Sequence, residues 1–143
     1  MRPALSLSNR QRVRPFDTTF ILRFVTFARP ACMAAVRLPA APLCHLLEVE
    51  ATILSDRAIG RVHDEFFSDP EPTDVITFHH GEILVSADTA LRQGSEHGQA
   101  LNHELALYMI HGLMHLGGWD DHEAEEAAEM AQRQQVVLES CLG

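Results

Sequence analysis

Between Gln99 and Leu116, Leu101, Leu105, Tyr108, Met109, Gly112 and Leu116 recur at helical spacing and give one buried face. The pattern stops at Gly117-Gly118, a common helix terminator. A helix with such a face must pack on a second layer, so the rest of the chain has to supply one. It does so with short runs of β character. Leu5–Ser8 alternates apolar and polar residues, and His45–Leu54 alternates around Leu47, Val49 and Thr52. Val75–Phe78 and Glu82–Ser86 are two further runs, with His79-His80-Gly81 between them reading as a tight hairpin.

Further helices are expected. Asp17 is placed to cap one that carries Phe20, Phe24 and Phe27 and that Pro30 should end or bend. Asp56 is placed to cap Arg57–Phe67, with Ile59, Val62 and Phe66 facing inward. Glu123–Leu138 opens with a run of acids, which suit the positive end of a helix dipole. Residues 33–43, with two prolines, read as a loop, and Ser68–Pro72 as a turn. The fold class that follows is α+β. One domain over residues 1–143 carries a small mixed sheet of about four strands, packed with helices, and the histidine-bearing helix is central.

The chain has 143 residues, enough to bury a core without disulfides. Its three cysteines, Cys32, Cys44 and Cys141, form no Cys-x-x-Cys pair, so neither a disulfide framework nor a thiolate metal site is indicated. Net charge is −9, yet seven of the eleven arginines lie in residues 1–37 and lysine is absent. The acidic remainder argues against strong non-specific nucleic-acid binding by the whole surface. Thr19–Ala28, the one apolar run near the start, is too short to span a bilayer and is broken by Arg23.

The chemistry concentrates at the end of the central helix, in IHGLMHLGGWDDH. His111 and His115 are four apart, so both imidazoles fall on one helix face and can reach a single zinc. Glu104 lies on the same edge two turns earlier. The glycine pair lets the chain reverse, and Asp120, Asp121 or His122 can then return toward the same ion. Position 112 is Gly, where a His-Glu-x-x-His protease keeps its general base, and this counts against peptide hydrolysis.

These residues resemble a known family. His111–His122 is similar to the HGxLHLxGYDH signature of the YbeY endoribonucleases, which mature ribosomal RNA in bacteria. Pro72–Phe78 resembles that family's PTDVLSF segment, and Gly81–Ser86 its GDIVIS strand. Glu104-Leu105, Met130 and residues 5–11 also match. The extent of the match leaves no room for a removable transit peptide and implies a cytoplasmic protein.

The resemblance implies a zinc-dependent endoribonuclease that cuts single-stranded RNA, including at the small-subunit rRNA 3′ end, and acts in ribosome quality control. Its partners would be rRNA and the small ribosomal subunit or its proteins, with no membrane involved. Its metal ligands would be His111, His115 and a third histidine. The family places that third histidine six residues after the second. Here Asp121 stands at that spacing and His122 one further, so either the loop absorbs a residue and His122 binds, or Asp121 does. The adaptable glycine pair favours His122. The family often has an arginine before the PTDV turn, where this chain has Phe67, and Arg61 is the nearest replacement. Arg61, Asp120 and Glu104 are the candidate catalytic residues. Two other classes stay open: a metallohydrolase of different substrate, and a ribosome-assembly factor with a structural metal.

Overall fold

The computed structural model describes residues 3–142. Four strands, β1 (Ala4–Asn9), β2 (Glu48–Leu54), β3 (Val75–Phe78) and β4 (Glu82–Ser86), form one sheet in the order β1-β2-β4-β3. β1 and β4 run parallel to β2, while β3 pairs antiparallel with β4. The hairpin joining β3 to β4 closes through a hydrogen bond from Gly81 N to Phe78 O at 2.9 Å. Gly81 has φ +108°, and a Cβ there would meet the Glu48 carbonyl at 2.8 Å. Only glycine fits this turn beside β2.

Five helices cover the sheet: α1 (Thr18–Ala34), α2 (Asp56–Phe67), α3 (Ala87–His97), α4 (Leu101–Leu116) and α5 (Ala124–Leu142). The period of two along each strand splits the core between its two faces. Val49, Ala51, Ile53, Ile83 and Val85 point to one side and join Ile21, Val25, Leu105, Met109 and Leu113 from α1 and α4. Leu54, Leu84 and Ile76 point to the other and meet Ile59 of α2. The sheet is therefore sandwiched, with α2 alone on one face. α4 is the central helix, buried along most of its length and touching α1, α3, α5 and the sheet.

Three local readings differ from what the residue pattern suggests. α1 runs through Pro30 to Ala34 instead of ending there. Ile21, Val25, Ala28 and Cys32 make one buried stripe on both sides of the proline, while Pro30 and Thr26, whose carbonyl loses its partner, lie on the exposed side where water can serve. α2 takes Ser55 as its cap, through a 3.2 Å hydrogen bond from Ala58 N, and Phe66 is 59% exposed against the edge of Phe78. α3 has no counterpart among the expected helices. Its buried positions, Ala87, Thr89, Ala90 and Gly94, are small and weakly apolar, so its packing leaves little imprint in hydropathy.

Candidate metal centre and groove

α4 delivers His111 and His115 to its open edge. Each imidazole is oriented by its Nδ1. In His115 that atom donates to the Trp119 carbonyl at 3.0 Å, and in His111 it meets Gln134 Oε1 at 2.8 Å, from α5. A carbonyl oxygen only accepts, so the proton sits on Nδ1 and each Nε2 carries a lone pair. The two Nε2 atoms lie 3.0 Å apart. Two lone pairs at that distance repel unless a cation or a proton lies between them. Ligands on one tetrahedral zinc would stand roughly 3.3 Å apart, close to what is seen.

The loop after α4 completes the cluster. Gly118 has φ +96°, and Trp119 N donates back to Met114 O at 3.1 Å, so the chain reverses within three residues. The Trp119 indole is pinned by a 2.8 Å hydrogen bond to Ala35 O and by the Arg37 guanidinium 5.2 Å from its ring centroid. This fixes the carbonyl that orients His115. Asp120 Oδ1 then accepts from the backbone N–H of Asp121 at 2.7 Å and of His122 at 3.2 Å. That tight turn sends the Asp121 carboxylate back over the histidines. Its Oδ2 lies 3.4 Å from His111 Nε2 and 3.6 Å from His115 Nε2.

His111, His115 and Asp121 thus offer three ligand atoms within 4.8 Å of one another. Burial, helped by the neighbouring His111, holds the His115 imidazole below the ordinary histidine pKa, against the pull of Asp121. The neutral form that a metal requires is the favoured one.

Of the other expected residues, Asp120 and His122 line the groove beside Asp121, whereas Glu104 and Arg61 are not among its lining. His122 is 86% exposed and sits 3.4 Å from Asp120, in a second group made of Asp120, Asp121 and His122. The Asp120-centred turn absorbs no extra residue, so Asp121, at the six-residue spacing, is the side chain that meets the histidine pair. Asp120 serves as the hinge of that turn. Glu104 is 3% exposed, two turns down α4, with its Cγ packed where a Cβ on Gly94 would go. Arg61 is exposed on α2. Gly112 faces the sheet: a Cβ there would lie 2.8 Å from Ile83 Cγ2. A glutamate at that position would enter β4 and could not act as a base over the histidines.

The cluster opens into a groove of about 680 Å³. One wall is the 118–122 loop with Leu38 and Pro42. Other lining residues come from α2, through His63 and Phe67, and from β3 and the residues flanking it, through Thr73, Thr77 and His79. Sequence reasoning passed over His63 because no motif surrounds it. Its one signal is helical spacing from Phe67, which only the fold turns toward the groove.

The sequence profile of the Endoribonuclease YbeY family matches residues 9–142. The chain belongs to that family. Among YbeY relatives, Endoribonuclease YbeY of Moorella thermoacetica is 34% identical over 110 residues, 64% of this chain and 70% of the relative. The protein of the same name from Chlamydia trachomatis serovar D is 36% identical over 104 residues, 64% of this chain and 65% of the relative. The chain thus spans about two thirds of these relatives. The solution structure of a Thermotoga maritima protein shares the fold, with a TM-score of 0.64, 21% identity, and coverage of 96% of this chain and 88% of that one. The YbeY assignment agrees with the α+β fold and with the expected family resemblance. Among the described residues, no helix is long and apolar enough to cross a membrane.

Proposed function

We propose that residues 1–143 form one functional domain, a zinc-dependent endoribonuclease that cuts single-stranded RNA during ribosomal RNA maturation in the cytoplasm. The observation that carries this reading is the convergence of two Nε2 lone pairs and the Asp121 carboxylate on one point at the floor of an open groove. The family supplies the substrate class: relatives carry the name Endoribonuclease YbeY. His111, His115 and Asp121 would hold one zinc, since nitrogen and carboxylate oxygen donors both suit that ion. When bound, it supplies Lewis acidity that polarises a phosphoryl oxygen or acidifies a water.

The protein's own residues prepare the site. Gln134 and the Trp119 carbonyl fix both imidazole tautomers, and supporting contacts of this kind tune ligand affinity. The groove admits an unpaired strand, whose bases can stack on aromatic side chains such as Phe67. The small-subunit rRNA 3′ end is the expected processing site, and the small ribosomal subunit or its proteins the expected partner. The acidic net charge suits docking on basic ribosomal proteins.

The test is cleavage of a labelled single-stranded RNA by protein purified without a histidine tag, with and without chelator. Cutting that requires zinc and disappears in His115→Ala supports the reading. A His115→Ala protein that cuts as well as the original would sink it.

A further inference from the structure

We infer that His63 is a proton-transferring residue of the groove, accepting a proton at Nε2 during phosphodiester cleavage. The inference rests on the reading of the groove as a nuclease site. His63 lies on α2, one helical turn before Phe67, and both line the groove with the 118–122 loop. Its side chain is 21% exposed, so it is sheltered yet reachable.

The geometry sets its tautomer. His63 Nδ1 lies 2.8 Å from the Glu71 carbonyl oxygen. That oxygen only accepts, so Nδ1 carries the hydrogen, and the neutral ring is left with its lone pair on Nε2. Nε2 has no hydrogen-bond partner among the described residues. The Glu71 carbonyl is held in place by close packing of the 68–72 turn on α2. A Cβ on Gly60 would come within 2.9 Å of Pro70 O, and Glu71 N donates to Asp69 Oδ1 at 3.0 Å. The Asp69 carboxylate lies 4.0 Å from Nδ1, on the same side of the ring as the Glu71 carbonyl. The Phe67 ring, 5.6 Å from the imidazole centroid, braces it from the side. This is the arrangement of an oriented general base: one nitrogen tied to a fixed acceptor, a carboxylate behind it, and the other nitrogen free.

The step balances without a redox partner. A water oxygen bonds to phosphorus as the bond from phosphorus to one sugar oxygen breaks. His63 Nε2 takes the proton the water loses, the departing sugar oxygen takes a proton from solvent on the opposite side of phosphorus, and His63 then releases its proton to solvent, ending neutral. The other ionisable groups around the groove are Asp69, His79, His115, Asp120, Asp121 and His122. Among them His63 is the one histidine whose Nδ1 is tied to a carbonyl outside the metal cluster.

The experiment uses the full chain, zinc and a fluorogenic single-stranded RNA oligonucleotide. His63→Asn keeps a donor for the Glu71 carbonyl and lacks the second ring nitrogen. The expected result is a kcat lower by about 10²–10⁴-fold, with KM and the zinc-binding isotherm unchanged. A variant with unchanged kcat overturns the proposal, and so does one whose loss lies in KM, which would make His63 a phosphate contact. A wild-type protein that binds zinc but cuts nothing overturns the nuclease reading itself, a result visible before any variant is made. Ring ¹⁵N spectra of the wild type test the tautomer independently of how the variant folds. The proton is expected on Nδ1, and an Nε2–H tautomer overturns the inference.

Discussion

His111 and His115 face each other with their Nε2 atoms 3.0 Å apart and Asp121 Oδ2 within 3.6 Å of both. Each ring is held in this pose by a hydrogen bond at its far nitrogen, so the three ligand atoms are gathered at one point by the fold.

Zinc should therefore stabilise the folded chain. At a hundredfold excess over Kd the gain is about 2.7 kcal/mol. For a chain of this size that raises Tm by roughly 5–10 °C. Thermal denaturation followed by circular dichroism, with and without zinc, checks this. His115→Ala should show no such shift.

The third ligand separates two side chains that are adjacent in sequence. Asp121→Asn should weaken zinc binding by about 10–100-fold, while His122→Asn should change it little. Competition with a chromophoric chelator measures both. The reverse ranking would return the third position to His122, the ligand that the adaptable glycine pair favours from sequence.

Gly112 bears on packing. Gly112→Ala forces a methyl group into Ile83, which is 1% exposed. The expected cost is about 1–3 kcal/mol, read as a lower urea midpoint at unchanged slope. Because α4 carries both histidines, zinc affinity should fall as well.

Asp56 makes acid stability a second readout of the fold. Burial disfavours its charge, but hydrogen bonds from Ser86, Thr89 and Arg92 outweigh this and hold its pKa below the ordinary value of 3.8. Ser86 Oγ and Thr89 Oγ1 each donate to Oδ1 at 2.6 Å, and Arg92 donates to Oδ2 at 2.9 Å. A depressed carboxylate contributes stability that is fully present above its unfolded pKa and lost as pH falls through the folded one. The contribution should thus be intact above about pH 4 and fade below it. Asp56→Asn should cost about 1.5–3 kcal/mol at neutral pH and flatten that acid limb. Urea titrations at several pH values test both statements.

Much of the architecture was legible along the chain because it rests on local rules. The alternating run from His45 to Leu54 marks β2, although the side chains it buries are Val49, Ala51 and Ile53 and Leu47 is exposed, and the glycine at position 81 marks the hairpin. The three-to-four residue period of α4, stopped by Gly117-Gly118, marks the central helix. α3 stayed hidden because its buried face is built from alanine, threonine and glycine, whose burial is decided by how closely α4 approaches.

The candidate site divides the same way. The pairing of His111 with His115 is a property of the sequence itself, since any α-helix through those positions brings the two imidazoles to one face. Which neighbour joins them was decided by tertiary structure. Asp120 caps the turn with two backbone hydrogen bonds, and the pinned Trp119 fixes where that turn begins, so Asp121 returns to the pair and His122 projects outward. The rest of the groove lining is also a tertiary outcome. His63 and Arg61 are two apart on α2, about 200° around the helix, so only one can face the groove. The packing of Ile59 and Gly60 against the sheet and the 68–72 turn sets the rotation of α2, and it is His63 that lines the groove.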